Sequence, residues 1–70
     1  MSFKFQHDDK QFWAKEIKGV TEVYFLEHKG LAEKIADVPG KFTNSDDLIT
    51  QVLSTKGLPR AHALLKRHSL

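Results

Sequence analysis

Thr43 to His68 carries the densest folding punctuation in the chain. Asn44, Ser45, Asp46 and Asp47 mark a helix start. Their short polar side chains accept hydrogen bonds from the first free N–H groups, and the carboxylates favour the positive end of the helix dipole. Leu48, Ile49, Val52 and Leu53 then repeat at amphipathic-helix spacing. Lys56-Gly57 closes that helix with a cation and a residue free to take positive φ. Leu58-Pro59 opens the next, where proline lacks only an N–H that would have no helical partner anyway. On the second helix Ala61, Leu64, Leu65 and His68 share one side, while Arg60, His62, Lys66 and Arg67 spread over the other. The stretch predicts a helical hairpin whose last helix has a basic polar face.

The rest of the chain must pack on this hairpin without covalent help. Seventy residues with no cysteine allow one domain, 1–70, held together by burial alone. A chain of that size buries only about 60% of its extended surface, and neither disulfides nor thiolate metal sites can staple it. An apolar content of 40% suffices for a small core. No apolar run approaches the roughly 18 residues of a membrane span, and no signal-peptide pattern is present. The expectation is a cytoplasmic protein with no membrane partner.

Read in order, Ser2 to Gln6 alternates apolar and polar residues and suits a short extended segment. His7-Asp8-Asp9 reads as a helix start, followed by Phe12, Trp13, Ile17 and Val20 on a buried side, with Trp13 as core anchor and its N–H reaching an acceptor. Lys18-Gly19, Lys29-Gly30 and Lys56-Gly57 recur after apolar segments and read as helix ends. Val23-Tyr24-Phe25-Leu26 is β-prone in composition, yet it keeps helical phase with Trp13, Ile17, Val20, Leu31, Ile35 and Val38. Leu31 to Asp37 reads as a helix stopped by Pro39-Gly40, and Phe42 staples the following loop to the core. The expected fold is mostly α: a bundle of three to four short helices ending in the helical hairpin, with a short N-terminal extended segment. The alternative is α+β, with a small sheet made from residues 2–6 and 20–27.

Chemistry is sparsely signalled. His62 and His68 lie about 240° apart around a helix, and His7 and His28 have no neighbouring ligand in sequence, so no metal site is expected. Asp46-Asp47 serves the helix start, the glycines are dispersed, and serines and threonines fall at caps and turns. No catalytic residue and no cofactor is expected.

Charge distribution carries the functional expectation. Residues 1–55 hold seven lysines against nine carboxylates, a net −2, whereas Lys56, Arg60, Lys66 and Arg67 give residues 56–70 a net +4 with no acid. A basic helix can track a phosphate backbone. The leading expectation is therefore a small regulatory protein binding nucleic acid through Lys56, Arg60, His62, Lys66 and Arg67, mainly by phosphate contacts. The turn is similar in length and glycine to a helix-turn-helix, but Leu53 and Ala63 depart from the usual small and β-branched interior residues of that motif, so no family resemblance is drawn. The alternative is a protein–protein module without a nucleic-acid role. It would be a homodimer or an adaptor for an acidic protein surface, using surplus aromatics among Phe3, Phe5, Phe12, Trp13, Tyr24 and Phe25.

Overall fold

The computed structural model describes residues 1–66. Four strands come first, β1 (Ser2–His7), β2 (Lys10–Ile17), β3 (Val20–Leu26) and β4 (Ala32–Pro39), followed by helices α1 (Ser45–Ser54) and α2 (Pro59–Leu65). The strands form one antiparallel sheet in the order β1-β2-β3-β4. The mostly helical bundle expected from periodicity is therefore corrected. The small-sheet alternative placed strands at 2–6 and 20–27, where β1 and β3 lie, but its two-stranded sheet is corrected, because β2 lies between them and pairs with both.

Turn chemistry explains the correction. β1 and β2 are joined by Asp8 and Asp9 alone, with φ of 54° and 63°, and β2 and β3 by Lys18 and Gly19, with φ of 53° and 82°. Two consecutive residues at positive φ match the twist of tight β-hairpins, and Asp and Gly tolerate that region. Asp8-Asp9 is thus a hairpin turn rather than a helix start, and Lys18-Gly19 a hairpin turn rather than a helix end. Glu16 supports the second turn, its carboxylate accepting the Gly19 N–H at 2.7 Å.

Strand alternation assigns the faces. Phe12, Ala14, Thr21, Val23 and Val38 point inward and are buried, with Phe3, Phe5 and Phe25 packed beside them. Inward rings run across three strands, with centroids 5.9 Å apart for Phe3–Phe5, 5.2 Å for Phe5–Phe12 and 5.6 Å for Phe12–Phe25. Phe12, fully buried, is the core anchor. Trp13 is half-buried on the opposite face, which corrects its expected role.

β4 departs from strict alternation. Its register with β3 shifts where Val23 faces Ala36 and Tyr24 faces Lys34. Ile35 is the extra residue, so Ile35 and Ala36 are both buried. Such a bulge turns two successive side chains toward one side. Leu31 to Asp37 is rich in helix formers, yet it pairs as a strand because the sheet buries its apolar side chains; tertiary context overrides propensity. The exit of β4 is tied back to the β2–β3 turn: Gly40 N–H donates to the Gly19 carbonyl at 2.7 Å, and the buried Thr21 hydroxyl donates to the Gly40 carbonyl at 2.8 Å.

The two helices of the expected hairpin are present. Asn44 caps α1, its side chain accepting the Asp47 N–H at 2.9 Å, and Pro59 stands at the start of α2. Leu48, Ile49 and Val52 of α1 and Ala61 and Leu65 of α2 are buried against the inward face. Both helices lean on β4, and among the described residues nothing covers the other face of the sheet. Among the described residues no helix is long and apolar enough to cross a membrane.

The two aromatic neighbours on β2 give a direct check of this face assignment. Phe12→Ala should cost about 3–5 kcal/mol, the usual loss for a large buried ring. Trp13→Ala should cost less, under about 2 kcal/mol, as expected away from the core. Thermal or urea unfolding of the two variants measures the difference, and equal losses would contradict the alternation.

Candidate functional site

The cations picked out by charge distribution do not form one basic face. Arg60 is engaged across the fold. Its Nε donates to Glu33 Oε2 at 2.9 Å and its Nη2 to Glu33 Oε1 at 3.0 Å, a bidentate pair between α2 and β4. This hydrogen bond holds the Glu33 carboxyl below its usual range and raises the Arg60 guanidinium in return. His62 is half-buried, and its Nε2–H donates to the Val52 carbonyl at 2.8 Å. That carbonyl also accepts the Thr55 N–H at the end of α1, so His62 closes the helix hairpin. Lys56 and Lys66 are exposed and without an ion-pair partner among the described residues. Arg67, like His68 of the expected apolar side, lies outside the described residues. The predicted set thus separates into two residues occupied in structural contacts, two loose lysines and one undescribed position.

The uncovered sheet face gathers a different set. Direct cross-strand register lines up Lys4, Trp13, Tyr24 and Lys34 over all four strands. The Trp13 and Tyr24 rings meet with centroids 5.4 Å apart, tilted by 34°. Lys15 Nζ stands 5.7 Å from the Trp13 ring centre, a cation–π distance. The row on one side of the ladder is Ser2, Lys15, Glu22 and Asp37, and on the other Gln6, Gln11, Leu26 and Ala32. Ile17 and Val20, 41% and 38% exposed, end the face at the β2–β3 turn.

Charge on this face is unevenly distributed. On β3 and β4, Lys34 pairs with Asp37 at 3.0 Å and with Glu22 at 3.5 Å. The Asp37 contact raises the Lys34 ammonium above its ordinary value. The Tyr24 hydroxyl donates to Glu22 at 2.8 Å, and that bond pushes the phenol up. These acids are therefore occupied locally. On β1 and β2 the outward residues are Ser2, Lys4, Gln6, Gln11, Trp13, Lys15 and Ile17, none of them acidic. The nearest β2 carboxylate, Glu16, is turned to the Gly19 N–H. Sequence reading missed this patch because it placed Trp13 and Tyr24 on helices. The usable signal was the two-residue spacing of Asp8-Asp9 and Lys18-Gly19 between β-prone runs, which fixes Phe12 inward and Trp13 outward.

Other surfaces offer less chemistry. A depression of about 670 Å³ is lined by Lys10, Gln11, Phe25, Leu26, His28 and Leu31, together with Asp9, Glu27 and Lys29, and its charges of both signs select no ligand class. Among the described residues no group of three or more His, Cys, Asp or Glu side chains is placed to hold a metal ion.

The Glu33–Arg60 pair predicts an acid dependence of stability. Because the folded carboxyl titrates below its unfolded value near 4.3, the unfolded chain takes up the proton first. The contribution is full above that unfolded value and is lost as pH falls through the folded one. Glu33 and Arg60 side chains are 37% and 54% exposed, so the effect is small and weakened by salt. The melting temperatures of wild type and Glu33→Gln should converge as pH falls from neutral through the carboxylate range, and an offset that stays constant on acidification would contradict the assignment.

No family model, curated protein or solved structure shows significant similarity to the chain, so its functional reading rests on the residues themselves.

Proposed function

We propose that this protein is a small nucleic-acid-binding module whose main contact surface is the uncovered sheet face rather than the last helix. The observation that carries the reading is the acid-free strip on β1 and β2, where Lys4 lies directly across from Trp13 and Lys15 stands over its ring. Two cations beside an aromatic ring suit a polyanion that also presents flat bases. The outward amides of Gln6 and Gln11, directly opposed in register, supply donors and acceptors for base edges. Lys56 and Lys66 add charge at the helix end, but Arg60 is neutralised by Glu33 and His62 is committed to Val52. Binding, not catalysis, is the role this arrangement suits.

A second reading has its own observation. Ile17 and Val20 are exposed side by side with Pro39 in the same row. That apolar end of the face would suit a protein partner or a second copy of the chain.

Charge reversal separates the two surfaces. Binding of labelled nucleic acid at low salt should weaken by about tenfold or more in the Lys4→Glu/Lys15→Glu variant, because phosphate contacts dominate such affinity. The Lys56→Glu/Lys66→Glu variant should change it by less than about threefold. A larger loss from the helix variant would return the site to the C-terminal helix, and absence of binding by wild type would remove the nucleic-acid reading.

A further inference from the structure

We propose that the ligand of this face is a single strand, with bases stacked on Trp13 and Tyr24 and the phosphate backbone following Lys4 and Lys15. This rests on the nucleic-acid reading above and goes on to name the substrate class.

The geometry favours a single strand over a duplex. A duplex keeps its bases stacked inside and is read by an element that enters a groove. The uncovered face has no such element: both helices lie on the opposite side of the sheet, and α2 is occupied against β4 by the Arg60–Glu33 pair. What the face presents is a pair of outward rings packed against each other at a tilt of 34°. Trp13 and Tyr24 sit on neighbouring strands with centroids 5.4 Å apart, about the spacing of paired strands themselves. Every base has a π-face, so such rings bind single strands with little regard to sequence.

The cations are spaced to follow a backbone past those rings. Along β2 the outward residues are Lys15, Trp13 and Gln11, each about 6.7 Å from the next. Cation, ring and amide thus succeed one another at roughly the length of one extended nucleotide. Lys4 lies directly across from Trp13 on β1. The Lys15 ammonium already stands over the Trp13 ring, and a base arriving on that ring would send it to the adjoining phosphate. Two acids share the face: Glu22, directly across from Lys15 and bonded by the Tyr24 hydroxyl, and Asp37 beyond it, and both pair with Lys34. The footprint is about two stacked bases with their phosphates, so affinity is modest and strongly salt-dependent, with a slope of about −0.7 per phosphate contact.

Trp13 is the sole tryptophan of the chain, and its emission reports directly on the face. The full chain is titrated with a thymidine homopolymer of about 12 nucleotides, within the usual span of single-strand sites, with its ribo counterpart, and with a duplex of equal length. The expected result is quenching by the single strands and at least about tenfold weaker binding of the duplex. Variants that lack the Trp13 reporter are followed instead by the fluorescence anisotropy of end-labelled strands, and by that measure Trp13→Leu should lose about 5- to 100-fold in single-strand affinity, the range for removing one stacking partner. Trp13→Phe and Tyr24→Phe, which keep a ring, should retain most of it, and melting curves identify any variant that fails to fold. Duplex bound as tightly as single strand with unchanged emission would overturn the stacking proposal while leaving the nucleic-acid reading intact. No binding of either would overturn both. A concentration-dependent change of Trp13 emission without nucleic acid, matched by a dimer in sedimentation, would assign the face to a second copy instead.

Discussion

Two short helices can cover one face of a four-stranded sheet, and the consequences of that limit run through this molecule. A sheet becomes stable when at least one face is buried against another layer. Here the inward face supplies Phe12, Ala14, Val23 and Val38, and the helices supply Leu48, Ile49, Val52, Ala61 and Leu65. With no cysteine in the chain, this one interface must hold the fold. Everything else follows from where the helices sit. They lean on β4, so the aromatic ladder from Phe25 to Phe3 extends beyond them toward β1, where Phe3 and Phe5 are only half-buried. The opposite face has no second layer among the described residues.

The edges of the sheet are treated unequally for the same reason. β4 carries a bulge at Ile35, a terminal Pro39, and the bridge from Glu33 to Arg60, all devices that discourage pairing with another chain. β1 is guarded mainly by Lys4 pointing outward. That lysine serves two purposes on one residue: it blunts an open edge and places a cation beside Trp13.

The C-terminal helices were legible because their signals are local. Asn44 acts through a side chain bonded three residues on, Gly57 and Pro59 through their own backbone, and the structure gives α1 and α2 where those residues put them. The sheet was obscured for physical reasons that particular residues reveal. Trp13, Ile17, Tyr24 and Leu26 make the outward face nearly as apolar as the inward one, which hides a period of two. The bulge places Ile35 and Ala36 both inward, so β4 mimics the spacing of a helix. Lys-Gly also closes helices as readily as it turns hairpins, and choosing between these needs the partner strand, which lies elsewhere in sequence. The candidate site suffered doubly. Net charge by segment found the C-terminal cations but not that Glu33, 27 positions from Arg60, consumes one of them.

A functional charge in a small domain is what remains after the fold has used the others. Arg60 joins a helix to a strand, Lys34 is shared between two carboxylates, and Lys10 is engaged with Asp8 at its turn. Each of these cations is spent on geometry, which surface exposure makes weak individually but which fixes its position. Lys4 and Lys15 are the cations set beside an aromatic ring on a face that the core does not use. Trp13 is half-buried there, packed against Tyr24 and under Lys15, contacts that contribute a little stability of their own. Under the proposed reading, a flat, anionic ligand completes the layer that the helices leave open.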